Sequence, residues 1–128
     1  MPADLPPPFV CEVVRVHDGD SLTCADRTRI RVAGIQAPDY ASSPPCRRNP
    51  VPATYTCDTA AAKRSRAIVE RLVLRQRITC QPVDRSYQRV VAQCTLVDGR
   101  SLSCAAIAAG AAVRWDAYWR RYRMGECR

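Results

Sequence analysis

The sequence predicts a β-barrel with helices: an α+β domain of five strands and about three helices over residues 9–123. Three observations carry this. Residues 9–35 read as three short strands parted by Asp-Gly and Asp-Arg turns. Residues 59–75 hold no Gly or Pro and many helix formers. Residues 77–97 return to β character, and short helical segments follow.

Pro2, Pro6, Pro7 and Pro8 make residues 1–8 an extended tail. Phe9–Val16 is rich in β-branched residues and reads as a strand. Asp18-Gly19-Asp20 turns the chain, and Ser21–Cys24 returns. After Asp26-Arg27 comes a strand over Thr28–Ile35, where Ile30 and Val32 alternate with Arg29 and Arg31. That period suits one core face and one polar face.

Pro38, Pro44, Pro45, Pro50 and Pro52 mark a long loop over 37–57. The helix that follows has Asp58 or Thr59 as N-cap. Ala61, Ser65, Ile68 and Leu72 form its packing stripe, opposite Lys63, Arg64, Arg66, Glu70 and Arg71. Arg77–Val83 and Arg89–Val97 are the last two strands, around a turn at Asp84–Gln88. Pro82 weakens the first of them or places it at an edge. A short helix runs from Ser101 or Leu102 to Ala109, with Gly110 as its stop. Trp115, Tyr118, Trp119 and Tyr122 share one helical face within 115–123, read as core and tail packing. Residues 124–128 are a tail tied by Cys127. Five strands with a helix between the third and fourth is the order of an OB-type barrel.

A length of 128 residues fits one domain, expected to be a monomer. With 47% hydrophobic and 25% charged residues, wholesale disorder is excluded. The longest apolar runs fall far short of the ~18 residues a membrane span needs. Lys and Arg number 20 against 12 Asp and Glu, a net charge of +8. All but Lys63 of those cations are Arg, the side chain that pairs bidentately with phosphate, so a polyanionic partner is one reading. A solvated surface of an Arg-rich protein is the other.

Cys11, Cys24, Cys46, Cys57, Cys80, Cys94, Cys104 and Cys127 are spread evenly, with no Cys-x-x-Cys and His17 as the one histidine. Clustered metal ligands are therefore missing, and an even count favours disulfides in an oxidising compartment. Many pairings are formally open, but local ones fit best. Cys11 and Cys24 flank the first turn, and Cys46 and Cys57 bracket the proline-rich loop. Cys80 and Cys94 are symmetric about Tyr87, and Cys104 would hold the tail through Cys127. Each such closure is worth ~3 kcal/mol in the chain-entropy model. Met1-Pro2-Ala3-Asp4 carries no basic, apolar leader. The expectation is that a leader has been removed and that the protein is secreted or periplasmic.

Three segments carry the chemistry. His17-Asp18-Gly19-Asp20-Ser21 places two carboxylates at a hairpin tip, where a hard cation can be met by oxygen; an ordinary Asp-Gly turn is the alternative. Arg31-Val32-Ala33-Gly34-Ile35-Gln36-Ala37-Pro38-Asp39 runs from a strand arginine to polar residues at the strand exit. Asp84-Arg85-Ser86-Tyr87-Gln88-Arg89 sets Arg89 at the start of a strand, or is simply a polar hairpin.

In this order and spacing the three segments resemble the staphylococcal nuclease (thermonuclease) family. That family carries Asp-Gly-Asp-Thr, then Arg, four residues and Asp-x-Pro-Glu, then Asp-x-Tyr-Gly-Arg. Val90–Cys94, Asp98-Gly99 and Ala109–Val113 also fit, so the resemblance spans residues 10–119. The cysteine-rich loop and Arg-rich tail look like those of small secreted bacterial members. The resemblance implies a staphylococcal-nuclease-like OB-fold and a calcium-dependent nuclease, a phosphodiester hydrolase for DNA and RNA. It implies Asp20 as a metal ligand and Arg31 and Arg89 as phosphate contacts.

Departures bear on activity. The family's second metal-binding aspartate is Gln36 here, and its neighbouring threonine is Ala37, whose backbone carbonyl remains available. The family's general-base glutamate is Asp39, one methylene shorter. One extra residue precedes Arg89 in the third motif. Losing a charged ligand weakens calcium affinity, which Asp18 partly restores if it ligates. Three readings follow: a slow nuclease acting on single-stranded DNA or RNA, a catalytically inactive OB domain that binds nucleic acid, and a disulfide-stapled protein-interaction module.

Overall fold

The computed structural model describes residues 5–127. Residues 1–4 of the expected proline-rich tail, and Arg128 of the expected C-terminal tail, lie outside them. Ten residues of strand β1, Phe9–Asp18, meet β2 (Ser21–Cys24) across a tight turn at Gly19-Asp20. β3 (Arg29–Val32) follows, then a two-residue strand β4 (Ile35–Gln36). The long loop holds a 3-10 turn at Pro44–Arg47. Helix α1 (Thr59–Val73) leads to β5 (Arg77–Ser86) and β6 (Arg89–Thr95). Helix α2 (Leu102–Ala108), strand β7 (Val113–Arg114) and helix α3 (Asp116–Arg121) complete the chain.

The barrel is closed, in the order β1-β2-β3-β6-β5, and β4 and β7 pair beside it. All barrel pairings are antiparallel except β3 with β6, which run parallel. Closure removes the exposed edges that an open sheet of this size would present. Cys11, Val13, Val16, Leu22, Ile30, Val32 and Ile78 fill the interior.

Alternation governs which residues point inward, and its breaks are informative. In β1 the buried positions step from Val13 to Val16, because the register shifts between Val13 and Arg15. An extra residue in one strand moves the inward set by one. The expected strand over Thr28–Ile35 is interrupted at Ala33-Gly34, where Gly34 adopts φ +76°. The break lets Ile35–Gln36 leave the barrel and pair with Val113–Arg114. Pro82 lies beyond the last β1–β5 pair, Phe9 with Cys80, and just before a register shift in β5–β6. Its missing N–H costs no ladder bond to β1 there.

Asp58 caps α1, its Oδ1 accepting from the Ala61 N–H at 3.0 Å. The buried face of α1 is Ala62, Ser65, Val69 and Val73. Of the expected stripe Ser65 is buried, and Ala61, Ile68 and Leu72 are half-buried at the border, with Ile68 and Leu72 packed on the core, while Ala62, Val69 and Val73 take the centre. A heptad-like pattern with apolar residues at adjacent positions leaves the helix two faces to choose from, and packing across β1 selects one.

All four expected disulfides are present: Cys11–Cys24, Cys46–Cys57, Cys80–Cys94 and Cys104–Cys127. Two lie inside the barrel wall, with Cys11 and Cys80 fully buried. The other two hold the long loop and the tail. No described helix is long and apolar enough to cross a membrane.

The aromatic segment departs from its expected packing. Only Trp119 enters the core; Trp115, Tyr118 and Tyr122 stay half-exposed.

Candidate functional site

Barrel pairing brings distant segments to one end of the molecule. Ser21 sits opposite Arg31 in β2–β3, and the Val32 N–H donates to the Asp20 carbonyl at 2.8 Å. β6 runs parallel to β3, with Val91 beside Arg31, so Arg89 enters at the same end. The Gly34 turn then carries Gln36 and Ala37 back over it.

Arg31 is the centre of the arrangement. Its Nη1 donates to the Val32 carbonyl at 2.9 Å, and its Nη2 to the Ile35 carbonyl at 2.8 Å. Nη2 also reaches Gln36 Oε1 at 3.1 Å and Asp20 Oδ2 at 3.4 Å. Gln36 in turn donates its Nε2 to Asp39 Oδ2 at 3.2 Å. On the other side Ser21 Oγ donates to Asp20 Oδ1 at 3.3 Å, and Arg89 Nη1 donates to Ser21 Oγ at 3.1 Å. Asp39, Gln36, Arg31, Asp20, Ser21 and Arg89 thus form one connected chain of polar contacts. Of the seven residues proposed from the sequence, Ala37 joins through its N–H, which donates to Asp20 Oδ2 at 3.0 Å. Asp18 joins by accepting the Asp20 N–H on Oδ1 at 3.1 Å.

The electrostatics follow from crowding and burial. Burial first, and the Asp20 charge second, push the Asp18 carboxyl up to about 8. Burial also raises Asp39, again helped by Asp20 and opposed by Arg31. Burial lowers Arg89, and the Arg31 charge beside it adds to that. His17 is lowered by burial and by the charges of Arg15, Arg29, Arg66 and Arg89. It bonds Thr23 Oγ1 at 2.7 Å, on the barrel wall rather than in the polar chain.

A raised Asp18 makes stability fall as pH rises. The unfolded carboxyl ionises near the ordinary aspartate value of 3.8, whereas the folded one keeps its proton to about 8. Between those values the folded state binds the extra proton, so raising the pH favours unfolding. Asp18→Asn keeps the Oδ1 acceptor and removes this cost. In chelator, the variant should melt roughly 3–8 °C higher than the parent at pH 8, with the gap closing toward pH 4. A constant gap across that range would refute the assignment.

Asp18 and Asp20 are the acidic side chains of the site that could meet a cation. Asp18 and Asp20 bring two carboxyls within hydrogen-bonding reach of each other, a crowding that positive charge relieves. Gln36 supplies no charge, and its amide oxygen faces Arg31. Among the described residues no group of three His, Cys, Asp or Glu gathers to cage a metal.

Several contributors carry no sequence signal. Asp39 is held by backbone bonds to the long loop: its N–H donates to Thr56 O at 2.8 Å, and the Asp58 N–H donates to Asp39 O at 3.0 Å. Tyr40 Oη donates to the His17 carbonyl at 3.2 Å. Ser65 Oγ, from the buried face of α1, donates to the Ala111 carbonyl at 2.5 Å beneath the Gly19 turn. Arg89 also lines a groove of about 410 Å³ with Arg29, Tyr87 and Gln88.

No known family model matches this chain. No curated protein matches it either. The site's geometry therefore has to carry the functional reading.

Proposed function

We propose that this chain is a staphylococcal-nuclease-like OB-fold phosphodiesterase that hydrolyses single-stranded DNA or RNA, with calcium or a similar divalent cation held weakly. The observation that carries it is the connected chain from Asp39 through Arg31 and Asp20 to Arg89 at one end of the barrel. The closed five-stranded barrel, ordered β1-β2-β3-β6-β5 with one parallel pair, is consistent with an OB-like barrel and supports the same reading. Four disulfides suit a secreted or periplasmic protein.

Hydrolysis of a phosphodiester gathers negative charge on the phosphate oxygens as water attacks phosphorus and the ester oxygen leaves. Arg89 and Arg31 stabilise that charge. Two backbone carbonyls hold the Arg31 guanidinium in one orientation, so little reorganisation is needed. Asp39 orients the water and takes its proton, and its raised affinity for protons suits it to that work. Asp18 and Asp20 would hold the cation, which would supply further neutralisation of the phosphate.

One observation favours a second reading, a nucleic-acid-binding OB domain without catalysis. Gln36 spans the space between Arg31 and Asp39, bonding both, and brings no charge of its own.

The deciding experiment incubates the protein with single-stranded DNA and calcium, with and without chelator, beside Arg89→Ala. Arg89 is the better knockout, since Arg31 also holds the loop together. Cleavage that needs metal and fails in Arg89→Ala upholds the phosphodiesterase. Salt-sensitive binding with no product rejects it in favour of the binding domain.

Gln36→Asp combined with Asp39→Glu should raise cleavage roughly 10-fold or more, because it restores a charged ligand and extends the base's reach by one methylene. An unchanged rate would remove Gln36 and Asp39 from the metal and base positions.

A further inference from the structure

Cations gather on the outer side of the barrel wall beside the polar site. Arg15 of β1 and Arg29 of β3 are both register partners of Thr23, which lies between them on β2. Partners across antiparallel strands share a face, and the adjoining Val16, Leu22 and Ile30 are buried. Arg15, Thr23 and Arg29 therefore form one outward row, in which Thr23 Oγ1 bonds His17 Nε2 at 2.7 Å. Arg89 extends the row onto β6. Arg29 and Arg89 each stand one position before the parallel pair Ile30–Val90, and both line the groove of about 410 Å³.

The charge of this row is poorly balanced by the protein itself. Arg15 and Arg29 are exposed and make no ion pair among the described residues. The charges of Arg15, Arg29, Arg66 and Arg89 all reach His17, and of these only Arg66 has a carboxylate close by, Glu70 at 3.6 Å. Asp18 and Asp20 offset part of the charge felt at Arg89, while Arg31 and Arg29 add to it. Like charges held together on one sheet face oppose folding, and an anion seated among them relieves that opposition. Arg29 stands two residues from Arg31 on the same strand, roughly 7 Å along it. The row is thus one short step from the phosphate contacts, in reach of the next phosphate on an extended strand.

We propose that Arg15 and Arg29, on either side of Thr23, form a second phosphate subsite that holds the backbone phosphate next to the one at Arg89. This rests on the nucleic-acid reading above and adds where the strand runs: from the polar site across the outer side of β3, β2 and β1. Guanidiniums that meet phosphate oxygens fix the position of a strand without reading its bases, so the subsite tightens binding equally for any sequence.

The test measures binding of fluorescent oligo(dT) in chelator, by anisotropy, between about 50 and 200 mM salt. Arg15→Gln and Arg29→Gln, each checked for parental melting, should weaken binding roughly 3- to 10-fold. Each should also lower the slope of log affinity against log salt by ~0.7, the share of one phosphate contact on a single strand. Arg100→Gln removes the same charge beyond the end of β6 opposite Arg89, and its slope should stay parental. Parental slopes in Arg15→Gln and Arg29→Gln, or an equal drop in Arg100→Gln, overturn the subsite. Cleavage in the calcium assay separates the two proposals. Cut DNA with parental slopes in both row variants sinks the subsite and leaves the phosphodiesterase. Lowered slopes without cleavage do the reverse. A parent that neither binds nor cuts oligo(dT) overturns both.

Discussion

Arg31→Ala is expected to cost ~3–5 kcal/mol of folding stability, the largest effect of any single substitution at the site. The reason lies in what the guanidinium holds. Side-chain exposure is 15% for Arg31 and 9% for Asp20, so their contact at 3.4 Å is shielded from water. Removing the guanidinium leaves a buried carboxylate beside Asp18 without its cation. It also strips donors from the Val32 and Ile35 carbonyls and from Gln36, the bonds that close the Gly34 turn. Urea unfolding measures the loss. Asp20→Asn added to Arg31→Ala should recover part of it, since the orphaned charge goes and the two sites are coupled. A loss below ~1 kcal/mol would show that the turn is held by other contacts. The practical consequence is that a dead Arg31→Ala protein says little about catalysis unless its folding is measured alongside.

Gly19→Ala should cost about 3 kcal/mol, at the upper end of overpacking effects, and displace the Asp18–Asp20 tip. Gly19 is not needed for an unusual backbone angle, since its φ is not among the positive ones. It is needed because a Cβ there would strike Ser65 Oγ, sit 2.8 Å from Ala37 Cβ and 3.2 Å from the Ala111 carbonyl. Those neighbours are short side chains and backbone, so nothing nearby can swing away. Gly125→Ala is the matched control, with nothing within 4 Å and no positive φ. Thermal melts should separate the two by roughly 5 °C or more. Equal melting of both would mean that α1 gives way freely at Ser65.

These two glycine and arginine effects show where reading the sequence stops. Asp18-Gly19-Asp20 is legible as a hairpin tip, because Asp-Gly between apolar runs is a local turn signal. That Gly19 is a packing glycine depends on Ser65 and Ala111, which only the folded chain brings there. Arg31 is legible as one polar residue of an alternating strand. Three of its partners, Val32, Ile35 and Gln36, lie at the strand's early end and in the turn beyond it, the fourth, Asp20, on the first hairpin, and the alternation signals neither.

The helix stripe and the aromatic segment teach the same point. Both have the right period, and in both the tertiary contacts choose which members of the face are most deeply buried. Ala61 and Ala62, Ile68 and Val69, and Leu72 and Val73 are near-equivalent neighbours by hydropathy, so which is buried is set by the surface that α1 meets. Trp115, Tyr118, Trp119 and Tyr122 share a helical face, but the core has room for Trp119 alone.

Local chemistry is written in the order of the residues. It placed the five barrel strands, the capped helix after Asp58, the four disulfide pairings between near neighbours, and the residue types at the candidate site. Tertiary structure decided which of those residues touch. Asp39 meets Gln36 because the long loop clasps it, Arg89 reaches Ser21 because β6 lies parallel to β3, and Trp119 alone enters the core because α3 offers it one side chain. Contacts between residues dozens of positions apart depend on how whole elements pack, and packing is a property of the assembled volume rather than of any window of sequence.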